Sequence, residues 1–297
     1  MPKTATNGAA AFVPGDRSLP VLRKAVQQCH GCDLYRHATQ AVFGELETHE
    51  DATRPKVAMM MIGEQPGDQE DRQGRPFVGP AGKLLDQCLD EARIDRDAVY
   101  VTNTVKHFKW EPRGKLRIHK KPGMQEIRAC RPWLQAELET VRPRLIVCLG
   151  AVAAQSLLGS KFRLTQAHGE IEEVKGLPPI IATLHPSAVL RARTDEDRHR
   201  SREILVADLK RAADYLKHPQ RYNKCSMIKA PRQQLPAMLA APQTALPGDN
   251  PRAMVTKKFG LEDLEVHGDR EFYRYGNAIF SGRLEAVLLH SFNGLVV

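Results

Sequence analysis

Four short apolar runs, at residues 56–62, 99–105, 145–149 and 180–184, alternate with stretches of helical spacing, and this alternation limits the fold more than any other feature. The helical stretches fall at 80–92, from about Pro122 to about Val141, at 151–158 and at 196–216, the last long and charged. In the first of them Leu84, Leu85, Cys88 and Leu89 share one face, which makes Cys88 a core residue. Such alternation predicts an α/β three-layer sandwich: a central, mostly parallel four-stranded sheet with helices on both faces. In sheets of that kind ligands bind beyond the carboxyl ends of the strands.

The two ends of the chain read differently. Residues 1–18, rich in Ala, Thr, Gly and Pro, predict a disordered segment, so the ordered domain is expected over 19–218. Residues 219–297 read as a Pro-rich linker and a small C-terminal extension. The linker shows in Pro231, Pro236, Pro242, Pro247 and Pro251, and the extension has alternating stretches at 271–275 and 286–290. That extension is too short to build much core alone, and a partner surface and an incidental appendage both remain open for it.

Composition narrows the setting. With 297 residues and 42% hydrophobic content the chain can bury a real core. No apolar run is long enough to span a membrane, and the N-terminus lacks the apolar stretch of a secretory signal, so a reducing cytoplasm and no membrane partner are expected. A monomer is the expected state. The net charge of +9 suits a polyanion, because Lys and Arg set against phosphates release condensed counterions. In a reducing compartment the six cysteines point to metal ligands or buried thiols rather than disulfides. Cys29 and Cys32 form a C-x-x-C pair, with Cys130 and Cys148 further on; four thiolates suit zinc or an iron-sulfur cluster, and spacing does not choose. Cys225 lies in a polar stretch outside the apparent domain.

Candidate chemistry gathers at the strand ends. Gly63-Glu64-Gln65-Pro66-Gly67 follows the first strand, Asn103 ends the second, and His185-Pro186-Ser187 follows the last. Taken singly, each has a plain alternative as loop punctuation, a helix cap or a satisfied surface histidine. The loop at 106–121 carries seven Lys or Arg residues against one acid, Glu111, with Phe108 and Trp110 interleaved. That composition fits an arm that tracks phosphates, and equally a solvated, mobile insertion. His119 at its end favours the functional reading, with Arg117 expected to anchor the loop.

Together the stretch GEQPGDQED at 63–71, the run GRPFVGPAG at 74–82, Thr102-Asn103, the four cysteines and the His185-Pro186-Ser187 loop resemble family 4 uracil-DNA glycosylases over roughly 19–217. Within that family Gln65 and the basic loop ending Lys115-Leu116-Arg117-Ile118-His119 resemble the UdgX branch, with Leu116 where that branch usually has Arg. The resemblance implies a [4Fe-4S] cluster on Cys29, Cys32, Cys130 and Cys148, and uracil-containing DNA, single- and double-stranded, as the partner. It implies that Phe77 stacks on a flipped uracil, that Asn103 reads its polar edge, that His185 bonds the oxygen gathering charge, and that Ser187 holds the strand by its phosphates. Gln65, Gly67, Asp68 and Asp71 are expected on the substrate side, though the two aspartates suit loop caps equally well.

Glu64 and His119 are then expected to decide the fate of the sugar. A neutral imidazole is a competent nucleophile near pH 7, and its bond to C1' would have a poor leaving group. The expectation is thus DNA repair by uracil excision followed by a stable bond from His119 to the abasic sugar. Two alternatives stand beside it: a conventional hydrolytic glycosylase, and a non-catalytic protein that reads uracil in DNA.

Overall fold

The structure, a computed structural model, describes residues 8–46 and 57–222 and the backbone of three further strands, Glu262–His267, Arg270–Tyr275 and Ala278–Ser281. The chain divides into two compact units, Met1–His218 and Pro219–Val297. In the first, the order is α1 (Leu19–Val26), β1 (Met59–Gly63), α2 (Asp68–Gln73), α3 (Pro80–Glu91), β2 (Val99–Asn103), β3 (Trp110–Arg113) and β4 (Leu116–His119). There follow α4 (Met124–Val141), β5 (Leu145–Leu149), α5 (Ala151–Leu158), α6 (Leu164–Ala167), β6 (Ile171–Glu172), β7 (Ile180–Thr183), α7 (Pro186–Leu190) and α8 (Asp195–Lys217).

The main sheet has five strands in the order β2-β1-β5-β7-β6, not the four expected. β2, β1, β5 and β7 are parallel, and β6 is an antiparallel edge. With two half-buried residues, β6 is too short to show a period of two. The four parallel strands are buried at every position, as a sheet covered on both faces requires. On one face Met60, Ile62, Tyr100, Ile146, Cys148, Ile180 and Ala182 join side chains of α1, α4 and α5 in one apolar cluster. On the other, Met59, Met61, Val99, Val101, Leu145 and Val147 are equally buried, where α8 crosses β5 and β7 and α3 packs beside α8.

The chain leaves β1 for β2 on one side and later continues through β5 to β7 on the other. The order therefore reverses between β1 and β5, and a cleft opens at the carboxyl ends there.

Three expectations need correction. Part of the lead-in is structured: residues Gly8–Phe12 form a 3-10 helix against α4, with Ala9 buried, and Thr140 Oγ1 donates to Arg17 O at 2.6 Å. Small apolar residues that look low in complexity are here a packing surface. The stretch after Gly67 is the short helix α2, whose sequence DQEDRQ has no apolar period to betray it. The basic loop is an antiparallel hairpin, β3 with β4, pairing Trp110 with His119 and Arg113 with Leu116.

The second unit shows a three-stranded antiparallel sheet, β8 (Glu262–His267), β9 (Arg270–Tyr275) and β10 (Ala278–Ser281), with β9 in the middle. The Pro-rich stretch 229–251, Cys225 and residues 286–290 lie outside the described residues.

Candidate active site

A cavity of about 370 Å³ lies beyond the carboxyl ends of the parallel strands, lined by Glu64, Gln65, Gly67, Phe77, Asn103, His119, His185 and Ser187 among others. The sheet fixes its floor. Gly63 and Asn103 are paired in register across β1 and β2. A Cβ on Gly63 would stand 2.4 Å from Asn103 Oδ1 and 2.9 Å from Phe77 Cζ, so only glycine lets these two groups meet at the strand end. Phe77 has a left-handed backbone, φ 56°. Its carbonyl lies where a Cβ of Gly82 would be, 1.5 Å away, which ties the ring's position to the start of α3.

His185 caps α7. The Ser187 amide donates to His185 Nδ1 at 3.1 Å, and Ser187 Oγ is 2.8 Å from the same nitrogen. Because Nδ1 accepts, the neutral ring carries its proton on Nε2. Burial, helped by Arg191 and His119, pushes this imidazole down to about 4, so it is neutral at pH 7. The ring stacks beside Phe77, centroids 6.0 Å apart at 27°. A flat apolar face and an N–H donor thus sit side by side.

Glu64 faces His119. Its Oε1 is buried without a hydrogen-bond partner and lies 3.6 Å from His119 Nε2. Burial raises the Glu64 carboxyl, against the pull of Lys121 and Arg191. Burial also lowers the His119 imidazole, with Arg191 adding to the effect. The result is a neutral imidazole beside an acceptor with an open lone pair.

His119 is placed by side-chain clasps on the hairpin. Gln65 Nε2 donates to Lys109 O at 3.1 Å and Lys120 O at 3.0 Å, and its Oε1 accepts from Lys109 N at 3.0 Å, so one amide grips both strands at the hairpin's base. Arg117 lies 5.5 Å from the Phe108 ring centroid and 5.4 Å from that of Trp110. Its guanidinium pairs with Asp71 at 2.6 Å and, more closely, with Asp68. Asp71, fully buried, also accepts from Thr39 N at 3.0 Å. Burial works against the Asp68 charge, yet hydrogen bonds from Arg72 and Arg117 hold its carboxyl below the usual range. Asp68, Asp71 and Arg117 stand outside the cavity lining and anchor the hairpin.

Three charged lining residues were not among those singled out in the sequence. Glu70 accepts from Gly67 N at 3.0 Å and Gly79 N at 2.8 Å, joining the loops that carry Glu64 and Phe77. Arg191 and Lys121 supply positive charge at the cavity. Arg191 could have been suspected from its place one short helix after His185, and Lys121 from the basic loop at 106–121; Glu70 carries no local signal.

Among the described residues no group of three or more His, Cys, Asp or Glu is arranged to hold a metal ion. Cys29 Sγ accepts from Trp133 Nε1 at 3.1 Å and Cys130 Sγ from Lys106 N at 3.3 Å. Cys148 lies in β5, where burial alone pushes its thiol up to about 12. Cys130, also raised to about 12 chiefly by burial, feels Cys32 and Cys29 as well. Cys29, Cys130 and Cys148 lie in one buried cluster with Cys32 packed against it, and Cys148 sits there within β5.

Residues 50–210 match the model of the uracil DNA glycosylase superfamily. The chain is similar to the type-4 uracil-DNA glycosylase of Thermotoga maritima, 34% identical over 202 residues that cover 67% of this chain and 95% of that one. It is also similar to the type-4 enzyme of Sulfurisphaera tokodaii, 34% identical over 211 residues covering 67% and 90%. For that of Pyrobaculum aerophilum the identity is 33% over 180 residues, covering 58% and 85%.

Proposed function

Since the chain belongs to the uracil-DNA glycosylase superfamily, we propose that its cavity receives a uracil flipped out of DNA and cuts the bond between N1 of the base and C1' of the sugar. The observation that carries this reading is the convergence of Phe77, Asn103 and an Nε2-protonated His185 on one cavity at the strand ends. As the bond breaks, the electron pair leaves with uracil and positive charge grows on the sugar, so the site must meet both charges. Phe77 offers a stacking face. The Asn103 amide has a donor and an acceptor for the base edge, which separates uracil from cytosine. His185 Nε2–H donates to the uracil oxygen where negative charge collects. Arg191 and Lys121 suit the flanking phosphates, and the carboxylate of Glu64 suits the cationic sugar.

For the sugar, the similarity to type-4 enzymes favours water. Glu64 Oε1, open and buried, accepts a proton from a water whose oxygen bonds to C1'. A second reading has a specific observation behind it: the His119 imidazole, neutral and 3.6 Å from Glu64, lines the same cavity. In that reading an imidazole nitrogen bonds to C1', the proton on the other nitrogen passes to Glu64, and the protein remains attached to the abasic site.

One experiment separates these. Incubation with a uracil-containing oligonucleotide, followed by a denaturing gel, gives an alkali-labile abasic site with turnover if water attacks. If His119 attacks, the gel shows a band at the mass of protein plus DNA, lost in His119→Ala. Neither product, with DNA still bound, would sink excision and leave a reader of uracil.

A further inference from the structure

Two fully buried charged residues lie outside both the cavity lining and the hairpin's anchors. Lys106 and Glu137 have fully buried side chains, joined by a short Nζ to Oε2 contact. All three ammonium protons are used, since Lys106 Nζ also donates to Thr102 Oγ1 at 2.7 Å and to Asn103 O at 2.7 Å. On the other side Glu137 Oε1 accepts from Thr102 Oγ1 at 2.8 Å, Tyr100 OH at 3.0 Å and Gly44 N at 3.0 Å. A fully buried ion pair is weak evidence of stability, because the desolvation cost offsets the attraction and an apolar pair of like volume often does as well. A purpose other than stability is called for, and the bond to Asn103 O supplies it.

β2 is an edge strand that ends at Asn103, so nothing in the sheet holds the carbonyl of its last residue. Lys106 holds it instead. The amide on the far side of that same peptide, Thr104 N, donates to Gly63 O at 2.9 Å. The peptide after Asn103 is thereby pinned at both ends, and Val105 N bonds Glu64 O at 3.1 Å one step further on. A rotation of that peptide would swing the Asn103 side chain away from the pocket and disturb the backbone beneath Glu64.

We infer that Lys106, held by Glu137 and Thr102, is a positioning residue that fixes the base-reading amide of Asn103. This rests on the reading above, in which Asn103 reads uracil. A misplacement of about 1 Å in a positioned group costs on the order of 100-fold in rate.

The test uses Lys106→Met/Glu137→Gln, which removes both charges while the Gln oxygen still accepts from Gly44, Tyr100 and Thr102. Single-turnover excision of uracil is measured beside binding to an oligonucleotide whose uracil carries a 2'-fluoro sugar and resists cleavage. The expected result is a rate loss of about 10- to 100-fold with binding changed far less. In an Asn103→Ala background the same double change should cost little more, since its target is already gone. Thr102→Val, which removes only the hydroxyl between the two charges, gives a milder form of the pattern should the double variant fold poorly. A folded variant with the wild-type rate, or losses that add in full to that of Asn103→Ala, would overturn the inference. Wild-type protein that leaves uracil in place, or an Asn103→Ala variant of undiminished rate, would instead remove the reading beneath it, and the inference with it.

Discussion

The floor of the cavity and the hairpin that brings His119 to it are built by different means. Gly63, Asn103 and His185 stand at ends of parallel strands buried on both faces, where backbone register sets each position. The hairpin has exposed or half-buried residues along both strands. It is held by side chains: Gln65 at its base, Arg117 between two rings and two aspartates, and Trp110 Nε1 donating to His37 O at 2.8 Å. A floor set mainly by backbone register resists change at most single side chains, the tie from Lys106 to Asn103 O being the exception. A clasped hairpin should lose its geometry one clasp at a time; on the function proposed above, reading of the base rests on the first region and any bond from His119 on the second.

The largest effect should come from the floor. His185→Ala removes the donor aimed at the departing base, and loss of one such donor costs about 100- to 1,000-fold in rate. Single-turnover kinetics on a uracil oligonucleotide should show that loss with DNA affinity little altered. A loss under about threefold would take His185 out of the chemistry and leave it as the cap of α7.

The hairpin should respond differently. Arg117→Met removes the ion pairs to Asp68 and the buried Asp71 while keeping an apolar chain against Phe108 and Trp110. The expected cost is about 2 kcal/mol in stability, read by denaturant unfolding. Uracil release should persist, while any product that depends on His119 should fall. If uracil release fell as far as in His185→Ala, the two regions would not be separable and the comparison would fail. Gln65→Ala should act in the same direction, since one amide there serves both strands.

That contrast also decides what could be read in the sequence. β1, β2, β5 and β7 showed as apolar runs because a strand covered on both faces leaves few polar positions, here only at the carboxyl ends of β2 and β7. Their ends then located Glu64, Asn103 and His185 by rule. The hairpin strands WEPR and LRIH carry charges and a proline, and at four residues each their alternation is too short to stand out from a basic loop. Asp68 and Asp71 were balanced between pocket and cap, and their partner Arg117, 46 residues or more away in sequence, made them anchors of the hairpin. Cys148 was legible only as one of four spaced thiols; its place within β5, in one buried cluster with Cys29 and Cys130, is set by the sheet. Glu137 carried no signal at all, since its partners come from 31 to 93 residues away.

The smallest effect distinguishes the two regions by proton linkage. His185 is held down to about 4, against 6.5 for a free imidazole. Between those values the unfolded chain binds a proton that the native ring refuses, so stability present above about pH 6.5 is lost as pH falls toward 4. The ring is only half-buried beside the cavity, which limits the effect to about 1 kcal/mol, or roughly 2–4 °C in Tm for a domain of this size. His185→Gln should flatten the fall in Tm between pH 7 and 4.5 by that amount. The His119 imidazole is lowered too, by burial and then Arg191, but 43% of its side chain is exposed on the hairpin. His119→Gln should therefore flatten the same curve less. An equal or larger change at His119 would mean that the hairpin buries its histidine as firmly as the floor does, and the distinction between a built and a clasped region would not hold there.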